Sequence, residues 1–180
     1  MGEEIERKFL VKSNSWRKNI EKSAKIRQGF FLSIKDRAVR IRVKGKQGFI
    51  TMKSESHGFT RKEFEYEIPV VDAEEILETL CTKPIVEKTR NWVTYADKVW
   101  VIDDFHGANN GLIMAEIELD SEMEDVARPD WAGNEVSDNP RYYNVYLARH
   151  PFTTWDLNPK TELGRVHLEH SGGISDDDAS

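Results

Sequence analysis

Acidic residues recur two apart in three stretches of this 180-residue chain, each time with one apolar residue between them. In an extended strand, residues two apart point to the same face, so each stretch would present two carboxylates side by side. Carboxylates grouped in this way can hold hard divalent cations such as Mg²⁺ or Mn²⁺. The pairs are Glu4 and Glu6, Glu63 and Glu65, and Glu116 and Glu118.

Basic residues follow the same spacing elsewhere in the chain, and Lys8 shares the predicted face of Glu4 and Glu6. Clustered arginine and lysine side chains bind phosphate oxygens through charge-assisted hydrogen bonds. The simplest ligand that satisfies both the acids and the bases is a metal-bound polyphosphate. The other bases are Arg40 and Arg42, Lys53, and Lys88 and Arg90.

Eight stretches alternate polar and apolar residues with the period of a strand, and residues 45–48 have the composition of a hairpin turn. Apolar residues at helical spacing predict a helix over residues 72–80, with Asp72 as its cap. Shorter helical fragments are predicted over residues 13–22 and 144–149. The predicted strands are residues 3–11, 26–33, 38–44, 49–53, 61–68, 85–95, 98–105 and 112–120.

The charged faces of these strands have two explanations. An antiparallel sheet with one solvated face would account for any single strand. Charges repeated on strand after strand favour a closed eight-stranded barrel, whose interior is wide enough for one small ligand. Buried charges need partners, because an unpaired buried charge is very costly. The predicted fold is therefore mainly β (α+β), a closed eight-stranded antiparallel barrel with helices packed outside.

Composition limits the classes of function. The formal net charge of -6 argues against a general nucleic-acid or membrane-surface binder, which usually carries a basic excess. Cys81 is the single cysteine, so no intrachain disulfide can form and a reducing cytosol is the natural compartment. No apolar run has the length of a membrane span. We expect a cytoplasmic protein with one domain over residues 1–150 and a polar, partly flexible extension over residues 151–180.

The stretch Glu4-Ile5-Glu6-Arg7-Lys8 matches the ExExK signature of the CYTH family, the triphosphate tunnel metalloenzymes. The chain resembles this family over residues 3–148. In the order that the family shows, the supporting matches are Arg27-Gln28-Gly29-Phe30, Arg40-Ile41-Arg42, Thr51-Met52-Lys53, Arg61 with Glu63-Phe64-Glu65, Glu87-Lys88-Thr89-Arg90, Asp103, Glu116-Ile117-Glu118 and Arg141-Tyr142.

The resemblance implies a role for each of these residues. Glu4, Glu6, Glu116 and Glu118 would hold Mg²⁺ or Mn²⁺ and, with Lys8, form the catalytic set, and Asp103 would join the metal ligands. Glu63 and Glu65 would be supporting acids. Members often carry a lysine near residues 141–145, where this chain has none. The substrate would be bound by Lys8, Arg40, Arg42, Lys53, Arg61, Lys88, Arg90 and Arg141.

The short bacterial members that the chain resembles are inorganic triphosphatases, so the expected reaction is metal-dependent hydrolysis of tripolyphosphate or a related triphosphate. Two alternatives stay open: a class IV-type adenylate cyclase, and a nucleotide- or polyphosphate-binding protein without turnover. We expect a small-molecule triphosphate as partner and no nucleic acid or membrane, and a homodimer is left open as an alternative to a monomer. No Walker-type glycine loop, zinc-ligand spacing or serine nucleophile elbow is present.

Overall fold

The computed structural model describes residues 5–34, 37–53, 62–121 and 123–156, with the backbone alone for residues 32–34 and 37. Two residues of the predicted site, Glu4 and Arg61, lie outside the described residues. No helix in the described ranges is long and apolar enough to cross a bilayer.

The described residues form one antiparallel sheet of nine strands with the order β5-β4-β3-β2-β6-β7-β8-β1-β9. The mainly β, antiparallel fold is thus confirmed, but nine strands are present where eight were predicted. In the described ranges no ladder joins the end strands β5 and β9. The strands are β1 Ile5–Val11, β2 Lys22–Ile34, β3 Arg37–Lys44, β4 Gln47–Lys53, β5 Glu63–Ile68, β6 Val86–Tyr95, β7 Lys98–His106, β8 Ile113–Leu119 and β9 Ala132–Glu135.

The two faces of the sheet differ as the period of two predicts. On β1, for example, Phe9 and Val11 lie on the outer face and Glu6 and Lys8 on the inner face. The outer face of β1, β6, β7 and β8 packs under Trp16 and the segment around Trp131. The aromatic rings of Phe9 and Trp100 lie 5.5 Å apart, and those of Trp100 and Trp131 lie 5.3 Å apart. This apolar core lies outside the sheet and leaves the inner face to charged side chains.

Helix α1, Val70–Thr79, covers the outer face of β3 and β4. Ala73 and Leu77, four residues apart, are its buried positions. A Cβ atom at Gly48 would lie 2.7 Å from the Cβ atom of Ala73, so the glycine permits this close approach. The helix begins after Pro69 without a side-chain cap, and Asp72 lies in its first turn. The predicted helix is confirmed, but the predicted capping role of Asp72 is wrong.

Apolar residues fill the inner face at the end of β1, β6 and β8 where Leu10, Val86 and Met114 lie. The C-terminal part of the described chain packs on this end through helix α2, Asn144–Leu147, and the 3₁₀ turn Phe152–Thr154. We call these apolar residues the end plug. The members of the end plug are Leu10, Val86, Phe105, Leu112, Met114, Val136, Tyr142, Leu147, Ala148 and Phe152.

Three local elements differ from the prediction. Only Ser15–Asn19 of the predicted helix over residues 13–22 is helical, as a 3₁₀ turn, and β2 begins at Lys22 rather than at residue 26. Strand β9 was not predicted, because its four residues, Ala132–Glu135, lack an alternating pattern. It forms because Phe9 and Val11 on β1 pair with Glu135 and Ala132.

The described part of the predicted extension, residues 151–156, packs on the domain. Phe152 is 1% exposed, and its backbone N–H donates to Asn109 Oδ1 at 2.8 Å. Trp155 contacts the rings of Tyr142 and Phe152. These contacts make residues 151–156 part of the end plug's packing, while the domain boundary at residue 150 stays a prediction.

We predict that Phe152→Ala lowers the free energy of unfolding by about 3–5 kcal/mol, because it leaves a cavity in the end plug. Urea denaturation measures this loss. The matched control is Phe64→Ala, the same substitution at a side chain that is 50% exposed, which should cost at most about 1 kcal/mol. Equal losses in the two variants would contradict a packed role for residues 151–156.

Candidate active site

The inner face of the sheet encloses a cavity of about 450 Å³, to which each of the strands β1 to β8 contributes at least one residue. Charged side chains dominate its lining. Six of the seven described bases of the predicted phosphate set line it, together with five acids, and Arg141 is the exception. The bases are Lys8, Arg40, Arg42, Lys53, Lys88 and Arg90, and the acids are Glu6, Glu63, Glu65, Glu116 and Glu118.

The side of the cavity formed by β3, β4 and β5 contains a shared carboxylate. Glu65 accepts hydrogen bonds from Thr51 Oγ1 at 2.7 Å, from Arg42 at 3.0 Å and from Arg40 at 3.3 Å. Burial alone would raise the pKa of Glu65, but these donors outweigh it and lower the pKa, so the carboxylate is ionised. Burial and the neighbouring Arg42 lower the pKa of Arg40. Glu65 thus pairs with two arginines, and Glu63 pairs with Lys53 at 2.8 Å, so three bases share two carboxylates and one positive charge is in excess on this side.

A second shared carboxylate, Asp103 on β7, pairs with two bases of the neighbouring strand β6. It is completely buried, and its two oxygens accept bonds from Arg90 at 2.8 and 2.7 Å and from Lys88 Nζ. Burial opposes the charge of Asp103, but Lys88 and Arg90 outweigh it and lower its pKa. Burial and the charge of Arg90 lower the pKa of Lys88, which is only 2% exposed. The three groups carry one net positive charge, which Glu116, 3.3 Å from Arg90 and shared with Lys8, offsets only in part.

On the side of the cavity formed by β1 and β8, negative charge exceeds positive charge. Lys8 Nζ donates to Glu6 Oε1 at 2.6 Å and to Glu116 Oε1 at 2.7 Å, and Glu6 lies directly opposite Glu118 in the ladder. Burial disfavours the ammonium charge, but Glu116 and Glu6 more than offset it and raise the pKa of Lys8. Glu118 forms no ion pair with a described residue. Two facing carboxylates repel each other, so this side favours a cation.

Three buried hydrogen-bond donors on residues that line the cavity have no partner in the described part of the chain. They are Gln28 Nε2, Arg40 Nε and Arg42 Nε. An unsatisfied buried donor costs about 1–3 kcal/mol, so native proteins rarely leave one without an acceptor. With its six bases, the lining of the cavity is rich in hydrogen-bond donors, which suits a ligand with several acceptor oxygens.

Sequence reasoning did not assign a site role to three residues that the structure brings to the cavity. Gln28 and Asn144 line it, and Thr51 bonds Glu65 there. Asn144 Oδ1 accepts a bond from Lys88 Nζ at 3.3 Å, across 56 positions of the chain. Gln28 lies two positions after Ile26 on β2, and Thr51 lies two positions before Lys53 on β4, so each shares a strand face with a residue of the cavity lining. This spacing could have identified both residues. No pattern in the sequence marks the contact of Asn144.

The structure does not bring Arg141 to the cavity. The residue is exposed, and its guanidinium lies 4.1 Å from the centre of the Trp155 ring. A role for Arg141 in substrate binding therefore stays a prediction. The same holds for Glu4 and Arg61, which lie outside the described residues.

Residues 2–145 match the family model of the CYTH domain. The chain belongs to the CYTH family. An inorganic triphosphatase of Acetivibrio thermocellus is 45% identical to it over 152 residues, which cover 84% of this chain and 97% of that protein. An inorganic triphosphatase of Nitrosomonas europaea is 36% identical over 151 residues, which cover 81% and 96%.

A crystal structure of an inorganic triphosphatase has the same fold, with a TM-score of 0.66 and 33% sequence identity. The match covers 82% of this CYTH chain and 95% of that structure. The family resemblance inferred from the ExExK signature is thus confirmed.

The described acids and histidines do not by themselves form a cluster of three ligands at metal-binding distances. The donor chemistry nevertheless fits a hard cation, because Glu118 has no ion pair and faces Glu6 across the ladder. Glu4, the remaining member of the predicted set, lies outside the described residues. The oxygens of Asp103 are taken up by Lys88 and Arg90.

We predict that Asp103→Asn lowers the free energy of unfolding by about 3–5 kcal/mol, because Lys88 and Arg90 lose their shared counter-charge. Tripolyphosphate should recover part of this loss by supplying negative charge at the same place. Urea denaturation with and without the anion measures both effects.

The adjacent Asp104→Asn is the matched control. Asp104 bonds the exposed Arg17, and removing this bond should cost at most about 1 kcal/mol. Equal losses in the two variants, or no recovery with the anion in Asp103→Asn, would remove the counter-ion role of Asp103.

Proposed function

We propose that this chain hydrolyses inorganic tripolyphosphate, or a closely related triphosphate, to a diphosphate and orthophosphate inside the charged cavity. The observation that carries the proposal is the convergence of six bases on one cavity. The two relatives named inorganic triphosphatase, which align over most of their own length, support it.

We also propose that the nine-stranded sheet curls into the closed tunnel that the sequence predicted. Side chains from β1 to β8 line one cavity, so strands that are distant in the ladder order face each other across it. A flat sheet would place Glu63 on β5 and Glu118 on β8 far apart. In a tunnel, both sides of the cavity reach one ligand.

The acids of β1 and β8 are the proposed holders of Mg²⁺ or Mn²⁺. Glu6, Glu116 and Glu118, with Glu4, would supply carboxylate oxygens, which are the ligands that these cations prefer. When bound, the metal would neutralise phosphate charge and activate water. The contacts of Asp103 favour a different role from the predicted one: it holds Lys88 and Arg90 as a buried counter-ion.

The bases have two tasks in the proposed reaction. Arg40, Arg42 and Lys53 on one side, and Lys88 and Arg90 on the other, bind the non-bridging phosphate oxygens. Water attacks the terminal phosphorus, the bridging P–O bond breaks, and the diphosphate leaves with the electron pair of that bond. Positive groups that are held in place before the reaction stabilise this developing charge without reorganisation, which is the largest contribution in many enzymes.

The adenylate cyclase alternative needs the same phosphate clamp and an additional adenosine pocket. The described cavity lining has no aromatic side chain that could stack on a base. The binding-only alternative would leave Glu118, which forms no ion pair with a described residue, without a use. The small-molecule partner follows from the proposed reaction, while the cytoplasmic location, the absence of nucleic-acid and membrane partners and the homodimer stay predictions of the sequence.

We predict that Glu4→Gln, Glu6→Gln and Glu118→Gln each lower the turnover of tripolyphosphate by at least about 10²-fold, because each removes a charge that holds the metal. Orthophosphate release at saturating Mg²⁺ or Mn²⁺ measures this. Circular dichroism checks that each variant is folded.

Glu135→Gln is the control, because Glu135 pairs with Arg7 away from the cavity lining. It should retain turnover within about twofold, as exposed ion pairs contribute little. Wild-type turnover in all three cavity variants would exclude the carboxylate assignment.

A product analysis separates the hydrolase from the cyclase. Hydrolysis needs water at the terminal phosphorus, whereas cyclisation aligns the ribose hydroxyl on the α-phosphorus and releases diphosphate. We expect tripolyphosphate to be cleaved faster than ATP is consumed, and no cyclic AMP to form with Mg²⁺ or Mn²⁺. Cyclic AMP and diphosphate as the main products from ATP with Mn²⁺ would establish the cyclase instead.

A further inference from the structure

Thr51 lies in the middle of a row of three polar residues on neighbouring strands. It is the direct ladder partner of Arg40 on β3 and of Glu65 on β5, so the three side chains share the inner face. Thr51 is 0% exposed and does not belong to the cavity lining, whereas Arg40 and Glu65 do. A ligand in the cavity would therefore reach Arg40 and Glu65 but not the hydroxyl between them.

The hydroxyl of Thr51 bonds both of its ladder partners. Arg40 Nη2 donates to Thr51 Oγ1 at 3.2 Å, and Thr51 Oγ1 donates to Glu65 Oε2 at 2.7 Å. A guanidinium can only donate and an ionised carboxylate can only accept, so the single proton of the hydroxyl must point to Glu65. The charges of the two neighbours thus fix the orientation of the hydroxyl.

Glu65 has one neutral donor and two cationic donors in the described part of the chain. Thr51 is the neutral donor, and the cationic donors are Arg40 at 3.3 Å and Arg42 at 3.0 Å. Burial raises the pKa of Glu65, and the bond from Thr51, ahead of the charges of Arg42 and Arg40, is the strongest of the effects that lower it. The hydroxyl therefore has a major part in keeping Glu65 ionised.

A phosphate ligand would change the contacts of Glu65 unequally. Phosphate oxygens attract the guanidinium groups of Arg40 and Arg42, which line the cavity. Each bond that these groups give to phosphate is one that they no longer give to Glu65. Thr51 is out of reach of the ligand and keeps its bond. Without the hydroxyl, the carboxylate would lie beside the incoming phosphate charge with no donor from the described residues, which is costly.

We propose that Thr51 is a positioning residue for phosphate binding, whose hydroxyl holds Glu65 in place while Arg40 and Arg42 transfer their hydrogen bonds from Glu65 to the substrate. This inference rests on the proposed function, because it assumes that a polyphosphate enters the cavity. Thr51 acts through Glu65 and does not touch the substrate. Its removal therefore affects the binding of the anion even though no contact with the anion is lost.

The test compares Thr51→Val, which removes the hydroxyl and keeps the shape of the side chain, with Thr51→Ser, which keeps the hydroxyl. We expect Kd for tripolyphosphate, measured by calorimetry without divalent metal, to rise about tenfold in Thr51→Val, the loss expected for one hydrogen bond to a charged group. Thr51→Ser should stay within about twofold of the wild type, because it retains both bonds.

Thr89→Val is the matched control, the same substitution at a strand threonine that bonds His106 on the outer face. It should also leave Kd within about twofold, because it removes a hydroxyl outside the cavity. Circular dichroism checks that each variant is folded. Thr51→Ala, which also lacks the hydroxyl, replaces Thr51→Val if that variant does not fold.

A double-variant cycle with Glu65→Gln shows whether Thr51 acts through the carboxylate. In the Glu65→Gln background, Thr51→Val should change Kd less than about twofold, because the charge that the hydroxyl holds is gone. A general packing defect at Thr51 would instead weaken binding equally in both backgrounds.

Three results would overturn the role of Thr51: an unchanged Kd in Thr51→Val, an equal loss in Thr51→Ser, or an undiminished loss in the Glu65→Gln background. A wild type that binds tripolyphosphate without hydrolysing it would contradict the proposed function alone, and the Kd values of the variants would still support or overturn the role of Thr51. A wild type with no affinity for tripolyphosphate would overturn both.

Discussion

The sharing of buried counter-ions is the constraint on which the inner face depends. Asp103 serves Lys88 and Arg90, and Glu65 serves Arg40 and Arg42, so positive charge exceeds negative charge on those sides. Lys8 donates hydrogen bonds to both Glu6 and Glu116, so negative charge exceeds positive charge on the side formed by β1 and β8. Buried charges tolerate this imbalance only when each has at least one partner. The cavity therefore has a cation-rich side that suits phosphate and an acid-rich side that suits a metal.

Because charged side chains occupy the inner face of the sheet, the apolar core lies on the outer face and at one end of the strands. The outer face of β1, β6, β7 and β8 packs under Trp16 and Trp131, and that of β3 and β4 packs under α1. The end plug forms a third apolar cluster. Splitting the core in this way leaves the middle of the inner face predominantly to charged side chains. Stability and ligand binding thus use different faces of the same strands.

The alternation of residue types predicted most of the strands and the inward facing of the six bases, because the period of two fixes the face once a strand exists. It could not choose between Asp103 and Asp104, which are adjacent and both acidic. The ladder between β6 and β7 decides this by pairing Arg90 with Asp103. Strand β9 has four residues without alternation, and Asn144 meets Lys88 only through the folded chain. Ladder register and long-range contacts depend on the whole fold, so no local pattern could show them.

The ion pairs inside the cavity also determine which anions can bind there, because an anion must displace a carboxylate from its arginine or lysine partners. A ligand that binds Arg40 and Arg42 must replace bonds that Glu65 already makes, so each bond gained there is offset by one lost. A charge-assisted hydrogen bond contributes about 1.5–3 kcal/mol net, and for a single phosphate this exchange is close to neutral. A linear triphosphate would span both sides of the cavity and would also reach Lys88 and Arg90, which share the carboxylate of Asp103. The shared carboxylates therefore select for the length of the phosphate chain as well as for its charge.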